Sequence, residues 1–274
     1  MGRNQEKKSM SVEKVIHYCW FGDAPLPRLA EKCIKSWRRF CPDYEIIEWN
    51  EDNLDILSHL YSKQAYDMKA WAFATDYFRL WVVYTHGGIY LDTDVQIIKS
   101  FDPLLENKGF MGFESEDIVA SGLGFGAEAG NRFLAENMKV YESLAFINSD
   151  GTLNRRPAPE YTTEIAKAHG LTSDTGKPQS VLDMTFFPKE YFAPKDYFTG
   201  RLQVTKNTYS IHHYDSSWFT GAEQKQRKHD LWDARIRAIT YIPRMIVKRI
   251  LGEQRYKHMA GGMKGKLSKG KNNE

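Results

Sequence analysis

The first fifty residues alternate in a way that few folds accept. "KVIHYCWFG" (Lys14 to Gly22) is rich in β-branched and aromatic residues and is stopped by glycine, which predicts a strand. "PLPRLAEKCIKSWRRFCP" then sets Leu29, Cys33, Trp37 and Phe40 at helical spacing, with Pro27 suited to a first turn and Pro42 to a stop. "YEIIEW" (Tyr44 to Trp49) is a second strand. Strand, helix and strand in succession require a crossover, so the expected fold is α/β, with parallel pairing and helices covering the sheet.

The rest of the chain extends this pattern. "SKQAYDMKAWAFATDYFRLWVVYTHGG" keeps Ala70, Phe73, Tyr77, Leu80 and Trp81 at helical spacing, reads as one long helix, and ends at a glycine pair. Gly88 to Leu91 is a short apolar strand running into two acids, and Val95 to Ser100 and Gly109 to Glu114 are further strands. Asn131 to Phe146 reads as a helix. Residues 148–178, rich in Pro, Thr, Asn and Gly, read as loop around one helix, "EYTTEIAKAHGL". "VLDMTFF" and "TYSIHHY" are late strands, followed by "DSSWFTG". The expected organisation is a flexible leader over 1–13, an α/β domain over 14–222, a basic helical extension over 223–259 and a disordered tail over 260–274.

With 274 residues, 42% hydrophobic and 27% charged, the chain can bury a sizeable core. Cys19, Cys33 and Cys41 are odd in number and lack CxxC spacing, which argues against a disulfide framework or a zinc knuckle. The polar opening and the lack of an apolar run of roughly 18 residues predict neither a signal peptide nor a spanning helix. The expected location is cytoplasmic, or peripheral on the inner face of a membrane. Charge is uneven: Lys225 to Glu274 carries 14 Lys+Arg against 4 Asp+Glu, leaving 24 against 31 in residues 1–224. Within it, "PRMIVKRILGEQRYKH" sets Met245, Ile246, Ile250 and Leu251 on one side of a helix among Arg244, Lys248, Arg249 and Arg255. This suits either an anionic membrane surface or packing on the chain's own domain. No nucleic-acid recognition motif accompanies the charge.

The chemistry concentrates at "HGGIYLDTDV". In extended backbone Tyr90, Asp92 and Asp94 share one side, so two carboxylates at a strand's carboxyl end can face one hard cation. Such a pair suits Mg²⁺ or Mn²⁺, which keep open positions for water and phosphate, although D-x-D alone is also a common solvated turn. Asp76 and Arg79, three apart, are neighbours on one helix face, as an ion pair or as an acceptor and donor for sugar hydroxyls. In "IHHYDSSW" either His212 or His213 can join two carboxylates on Mn²⁺.

"KVIHYCWFG", "ATDYFRLWVVYTHGGIYLDTDV" and "TYSIHHYDSSW", in this order and at these distances, resemble the DXD-motif glycosyltransferases. The group they resemble most is the capsular polysaccharide and lipooligosaccharide sugar transferases, of the family 32, retaining GT-A type. Glucosylating bacterial toxins are more distantly similar. The resemblance covers Lys14 to Trp218 and implies a Rossmann-like GT-A central mixed sheet flanked by helices. It implies that Asp94 binds the metal directly, that Asp92 contacts the ribose or sugar and reaches the metal through water, and that His212 completes the shell. It implies that Asp76 and Arg79 hold the transferred sugar, with Arg79 also near the diphosphate. Tyr90 would lie close to the nucleotide, Trp20 would stack on the base, and Ser217 and Trp218 would sit on a loop closing over the diphosphate. His212 is preferred to His213 because the pattern places the ligand directly after an apolar residue, here Ile211.

The implied activity is metal-dependent, retaining hexosyl transfer from a nucleotide-sugar, with a UDP-sugar preferred and GDP-mannose as the alternative. The expected acceptor is a surface-polysaccharide or lipid-linked oligosaccharide precursor. Arg79 and the Trp218 indole would stabilise charge on the departing diphosphate, and Glu114 and Asp117 are candidates for acceptor contact. Competing readings are a protein-glycosylating transferase, a nucleotide-sugar or glycan-binding module without turnover, and a metal-dependent phosphohydrolase.

Overall fold

The computed structural model describes residues 11–197 and 199–215, of which 11–196 and 202–215 belong to one compact unit. The opening strand–helix–strand is present as β1 (Val15–Cys19), α1 (Arg28–Phe40) and β2 (Glu45–Trp49), with β1 and β2 parallel and Val15 opposite Glu45. Helix α1 begins directly after Pro27, which takes the extended N-cap conformation. It places Glu31 in its first turn and Arg38 and Arg39 in its last, as the helix dipole favours.

The expected long helix is two. Helix α2 (Leu60–Asp67) stops and α3 (Trp71–His86) starts afresh. The break is a capping closure. Lys69 sits in the left-handed region at φ 56, its N–H donates to the Tyr66 carbonyl, and the Ala70 N–H donates back to the Ala65 carbonyl. Glycine usually fills that position, so Lys69 gave no warning of a stop.

Strand β3 (Gly88–Tyr90) joins the other edge of β1 in parallel, Ile16 opposite Ile89 and His17 opposite Tyr90. The approach is close enough that a Cβ on Gly88 would fall 2.8 Å from the Val15 carbonyl oxygen. Beyond come β4 (Val95–Ile97), β5 (Gly109–Phe113), β6 (Val119–Ala120), β7 (Phe125–Ala127), β8 (Gln179–Val181), β9 (Met184–Phe187) and β10 (Ser210–His212), with α4 (Arg132–Glu142) and α5 (Ala158–Ala168) between β7 and β8. The main sheet runs β2-β1-β3-β7-β5-β9-β8 with β6 beside β5, and mixes parallel and antiparallel pairs. This is the mixed, helix-flanked α/β architecture the sequence predicts.

Two expectations are corrected. "VLDMTFF" is not one strand: Leu182, at φ 51, turns the chain so that Val181 pairs with Met184 and β8 folds back on β9. Strands β6 and β7, two and three residues long, are too short to show periodicity and were not expected.

The sheet separates two hydrophobic clusters, and alternate strand residues divide between them. Tyr90, Met111 and Phe125 join one with α2 to α5, while Ile89, Leu91 and Phe110 join the other with α1. Among the described residues no helix is long and apolar enough to cross a membrane.

Candidate active site

Helix α1 anchors the second, two-stranded sheet that carries half of the site. The Trp37 indole N–H donates to the Val95 carbonyl at 2.7 Å, and Ser36 Oγ accepts from the Ile97 N–H at 3.0 Å. This fixes β4, and β10 pairs with it antiparallel so that His212 stands opposite Val95. The backbone between β3 and β4 does not stay extended, contrary to the alternation expected of a strand. A turn intervenes, with the Val95 N–H donating to the Asp92 carbonyl at 3.0 Å. The acids are brought together by that turn and by β10, rather than by strand alternation.

Asp92, Asp94 and His212 offer three ligand atoms all within 4.8 Å of one another. His212 Nε2 lies 3.1 Å from Asp94 Oδ1, and the Asp215 N–H donates to Asp94 Oδ2 at 2.8 Å. His213 points its ring elsewhere, with Nε2 3.0 Å from Gln96 Oε1. Arg79 closes the other side: Nη1 is 3.4 Å from Asp92 Oδ2, Nη2 is 3.3 Å from Asp76 Oδ1, and Nη2 donates to Thr75 Oγ1 at 2.9 Å. Its guanidinium lies over the Tyr90 ring, 5.4 Å from the centroid. Among the described residues, two buried side-chain nitrogens lack a hydrogen-bond partner, Arg79 Nε and His212 Nδ1.

The charges are out of balance. Burial raises the Asp92 carboxyl and Asp94 adds to that effect, while Arg79 opposes it; the net shift is upward. Burial also works against Asp94, but His212 and the Asp215 N–H outweigh it and hold Asp94 down at about 2. Asp76 is pushed up to about 7 by burial, against the pull of Arg79. Burial would lower His212, yet Asp94, with Asp92 and Glu114 behind it, raises it. Two half-buried carboxylates and an imidazole with a surplus of negative charge form a donor set that fits a hard divalent cation.

The other expected residues fall around this centre. Tyr90 is 1% exposed, and its side chain hydrogen-bonds to Asp92, so in this structure it buttresses the acids from beneath. Trp20 stands half-buried at the end of β1, its indole N–H donating to the Ala24 carbonyl at 2.7 Å. Glu114 follows β5; burial raises it, and both His212 and Lys189 are near enough to pull it back. Lys189 in turn lines an open groove of about 520 Å³ with Glu116, Asp174 and Glu190. Asp117 lies apart, accepting from Ser173 Oγ at 2.5 Å. Ser217 and Trp218 lie outside the described residues, as do the basic extension, the tail and residues 1–10 of the leader. Sequence reasoning missed Thr75, although its i,i+4 spacing to Arg79 was a usable signal, and it missed the turn at Ser121–Gly124 that lies against Asp92.

Residues 27–111 match the family described as the glycosyltransferase sugar-binding region containing a DXD motif. That stretch holds Asp76, Arg79, Asp92 and Asp94, while His212 reaches the site through the fold alone. The chain is 26% identical over 147 residues to inositol phosphoceramide mannosyltransferase 3 of Schizosaccharomyces pombe, covering 51% of this chain and 40% of that protein. It is 28% identical over 130 residues to inositol phosphoceramide mannosyltransferase 1 of the same organism, covering 45% of this chain and 40% of that protein. The matched region thus spans less than half the length of these curated relatives. A solved structure, PaToxG glycosyltransferase, is 17% identical with a TM-score of 0.42, over 57% of this chain and 69% of that one.

Proposed function

We propose that this protein is a metal-dependent, retaining glycosyltransferase that moves a hexosyl unit from a nucleotide-sugar to a hydroxyl of a glycan or lipid-linked glycan. One observation carries the reading: Asp92, Asp94 and His212 meet at the carboxyl end of β3, and a buried Arg79 spans the gap from Asp92 to Asp76. Asp94 and His212, with Asp92 beside them, would hold Mn²⁺ or Mg²⁺. When bound, the cation supplies charge stabilisation to a departing diphosphate.

The chain's own residues do the rest. Arg79 stays protonated throughout, because Asp92, Tyr90 and Asp76 outweigh the effect of burial. Its Nε–H is buried without a hydrogen-bond partner, so it is a donor already desolvated, and fixed donors of that kind are where electrostatic catalysis gains most. Asp76 accepts sugar hydroxyls, and Thr75 holds the guanidinium at the angle that serves both acids. In the transfer the anomeric carbon–oxygen bond to the diphosphate breaks and a bond to the acceptor oxygen forms on the same face. The acceptor proton passes to the departing phosphate oxygen, so no protein base is required.

The fission-yeast relatives are named as mannosyltransferases of inositol phosphoceramide, which favours mannose as the sugar, keeps GDP-mannose beside the UDP-hexoses as a donor to test, and favours a lipid-linked acceptor. A cytoplasmic protein with the basic stretch from Lys225 to Glu274 suits such an acceptor on an anionic membrane surface. The test is nucleotide release from a panel of UDP- and GDP-sugars with Mn²⁺. One donor is expected to be consumed, and both EDTA and Asp94→Ala to abolish that consumption. Consumption that survives both would refute the metal site, and no consumption of any donor would refute the transferase reading.

A further inference from the structure

The turn at Ser121–Gly124 leads into β7, and the pairing of β7 with β3 sets Phe125 opposite Tyr90. The residues just before Phe125 therefore run beside those just after Tyr90, which are Leu91 and Asp92. Two glycines in this turn are small for different reasons. Gly124 has φ +102, a conformation that any side chain strains, and its Cβ would also meet Leu91 Cδ2 at 2.6 Å. Gly122 is not in the left-handed region, so its backbone is open to any residue. What stands in the way at Gly122 is the site itself: a Cβ there would fall 2.7 Å from Asp92 Oδ2 and 3.5 Å from Arg79 Nη1.

We propose that Gly122 is a positioning residue, and that its missing side chain leaves the Asp92 carboxylate standing against Arg79 as the sugar-facing wall of the site. The proposal rests on the glycosyltransferase reading and extends it. The nearest obstacle to a side chain is the tip of Asp92, which can rotate, rather than backbone. A methyl group at Gly122 therefore displaces the carboxylate and leaves the turn intact. Ser121 and Leu123, at 1% and 0% exposed, pin the turn from either side, so Asp92 is the element that yields. Displacement of Asp92 from Arg79 removes a second carboxylate that, beside Asp76, faces the ribose or sugar, while Asp94 and His212 still hold each other at 3.1 Å. The loss then falls on ligands that carry a sugar, more than on the bare diphosphate.

The test is a double-mutant cycle on the full chain with Gly122→Ala, Asp92→Ala and the pair. UDP-glucose, GDP-mannose, UDP and GDP are titrated calorimetrically with Mn²⁺, and thermal melting is followed in parallel. For whichever sugar nucleotide binds, Gly122→Ala is expected to weaken it roughly tenfold, the scale of one charge-assisted hydrogen bond. It should weaken the matching diphosphate less than about threefold and leave melting unchanged. In the Asp92→Ala background, Gly122→Ala should cost nothing further. Equal losses for sugar nucleotide and diphosphate, losses that multiply in the double variant, or a Gly122→Ala protein that fails to fold would each overturn the inference while the transferase reading stands. A wild-type protein that binds none of the four probes overturns the reading, and the inference with it.

Discussion

Two histidines, His17 buried and His212 half-buried, are shifted in opposite directions by their surroundings. His17, on β1 and 1% exposed, is closed by neutral partners: its Nε2 lies 2.9 Å from the Gly87 carbonyl oxygen and the Trp49 indole N–H donates to its Nδ1 at 3.1 Å. An indole only donates, so Nδ1 is the acceptor and Nε2 carries the proton. Burial accordingly holds His17 down at about 4. His212 is surrounded by acids, is raised by them against its burial, and keeps one nitrogen without a partner. The first is a satisfied core group that ties β1 to the glycine pair ending α3. The second stands in a centre that its own protein leaves unbalanced, and a bound cation would restore the balance.

The contrast breaks most readily at Arg79, which keeps the acidic centre foldable without a ligand. Arg79→Met leaves a buried Asp76 and a half-buried Asp92 without the guanidinium beside them. The expected loss is roughly 3–5 kcal/mol in denaturant unfolding, partly recovered at acidic pH as Asp76 takes a proton. A variant as stable as the wild type would show that the arginine is not structural.

Next in size is pH. His17 has a folded value below its unfolded one, so the unfolded chain binds more protons between pH 6.5 and 4, and stability from this residue falls as pH drops through that window. The loss approaches roughly 3 kcal/mol near pH 4. His212 is raised on folding, so its contribution has the opposite sign: present at acidic pH and lost as pH rises. Unfolding curves from pH 7.5 to 4 should therefore flatten in His17→Gln and steepen in His212→Gln. Equal slopes in the two variants would erase the distinction.

These two histidines also show what could be read in advance. The strand–helix–strand opening and the acids after the glycine pair are local patterns, carried by Cys33, Trp37, Asp92 and Asp94 within a few dozen residues. The seat of His212 depends on β10 pairing with β4 more than a hundred residues away, and residue type alone could not separate it from His213. Lys69 and Leu182 occupy left-handed positions usually signalled by glycine, so the break between α2 and α3 and the β8–β9 turn gave no composition cue. Gly122 next to Asp92 depends on sheet register, which only the fold supplies.

The smallest expected effect is at Thr75. Thr75→Val keeps the shape but removes the hydroxyl that accepts from Arg79, at a cost of about 1 kcal/mol in stability. Turnover of the accepted donor should fall severalfold, with Thr75→Ser restoring it. Failure of serine to restore turnover would assign Thr75 to packing alone.

The most direct test of the central claim is a Mn²⁺ titration followed by electron paramagnetic resonance, on the wild type, His212→Ala and His17→Gln. The account predicts one site in the wild type, the same affinity in His17→Gln, and a loss of roughly 10- to 100-fold or more in His212→Ala. Equal affinity in all three, or no site in the wild type, would contradict it.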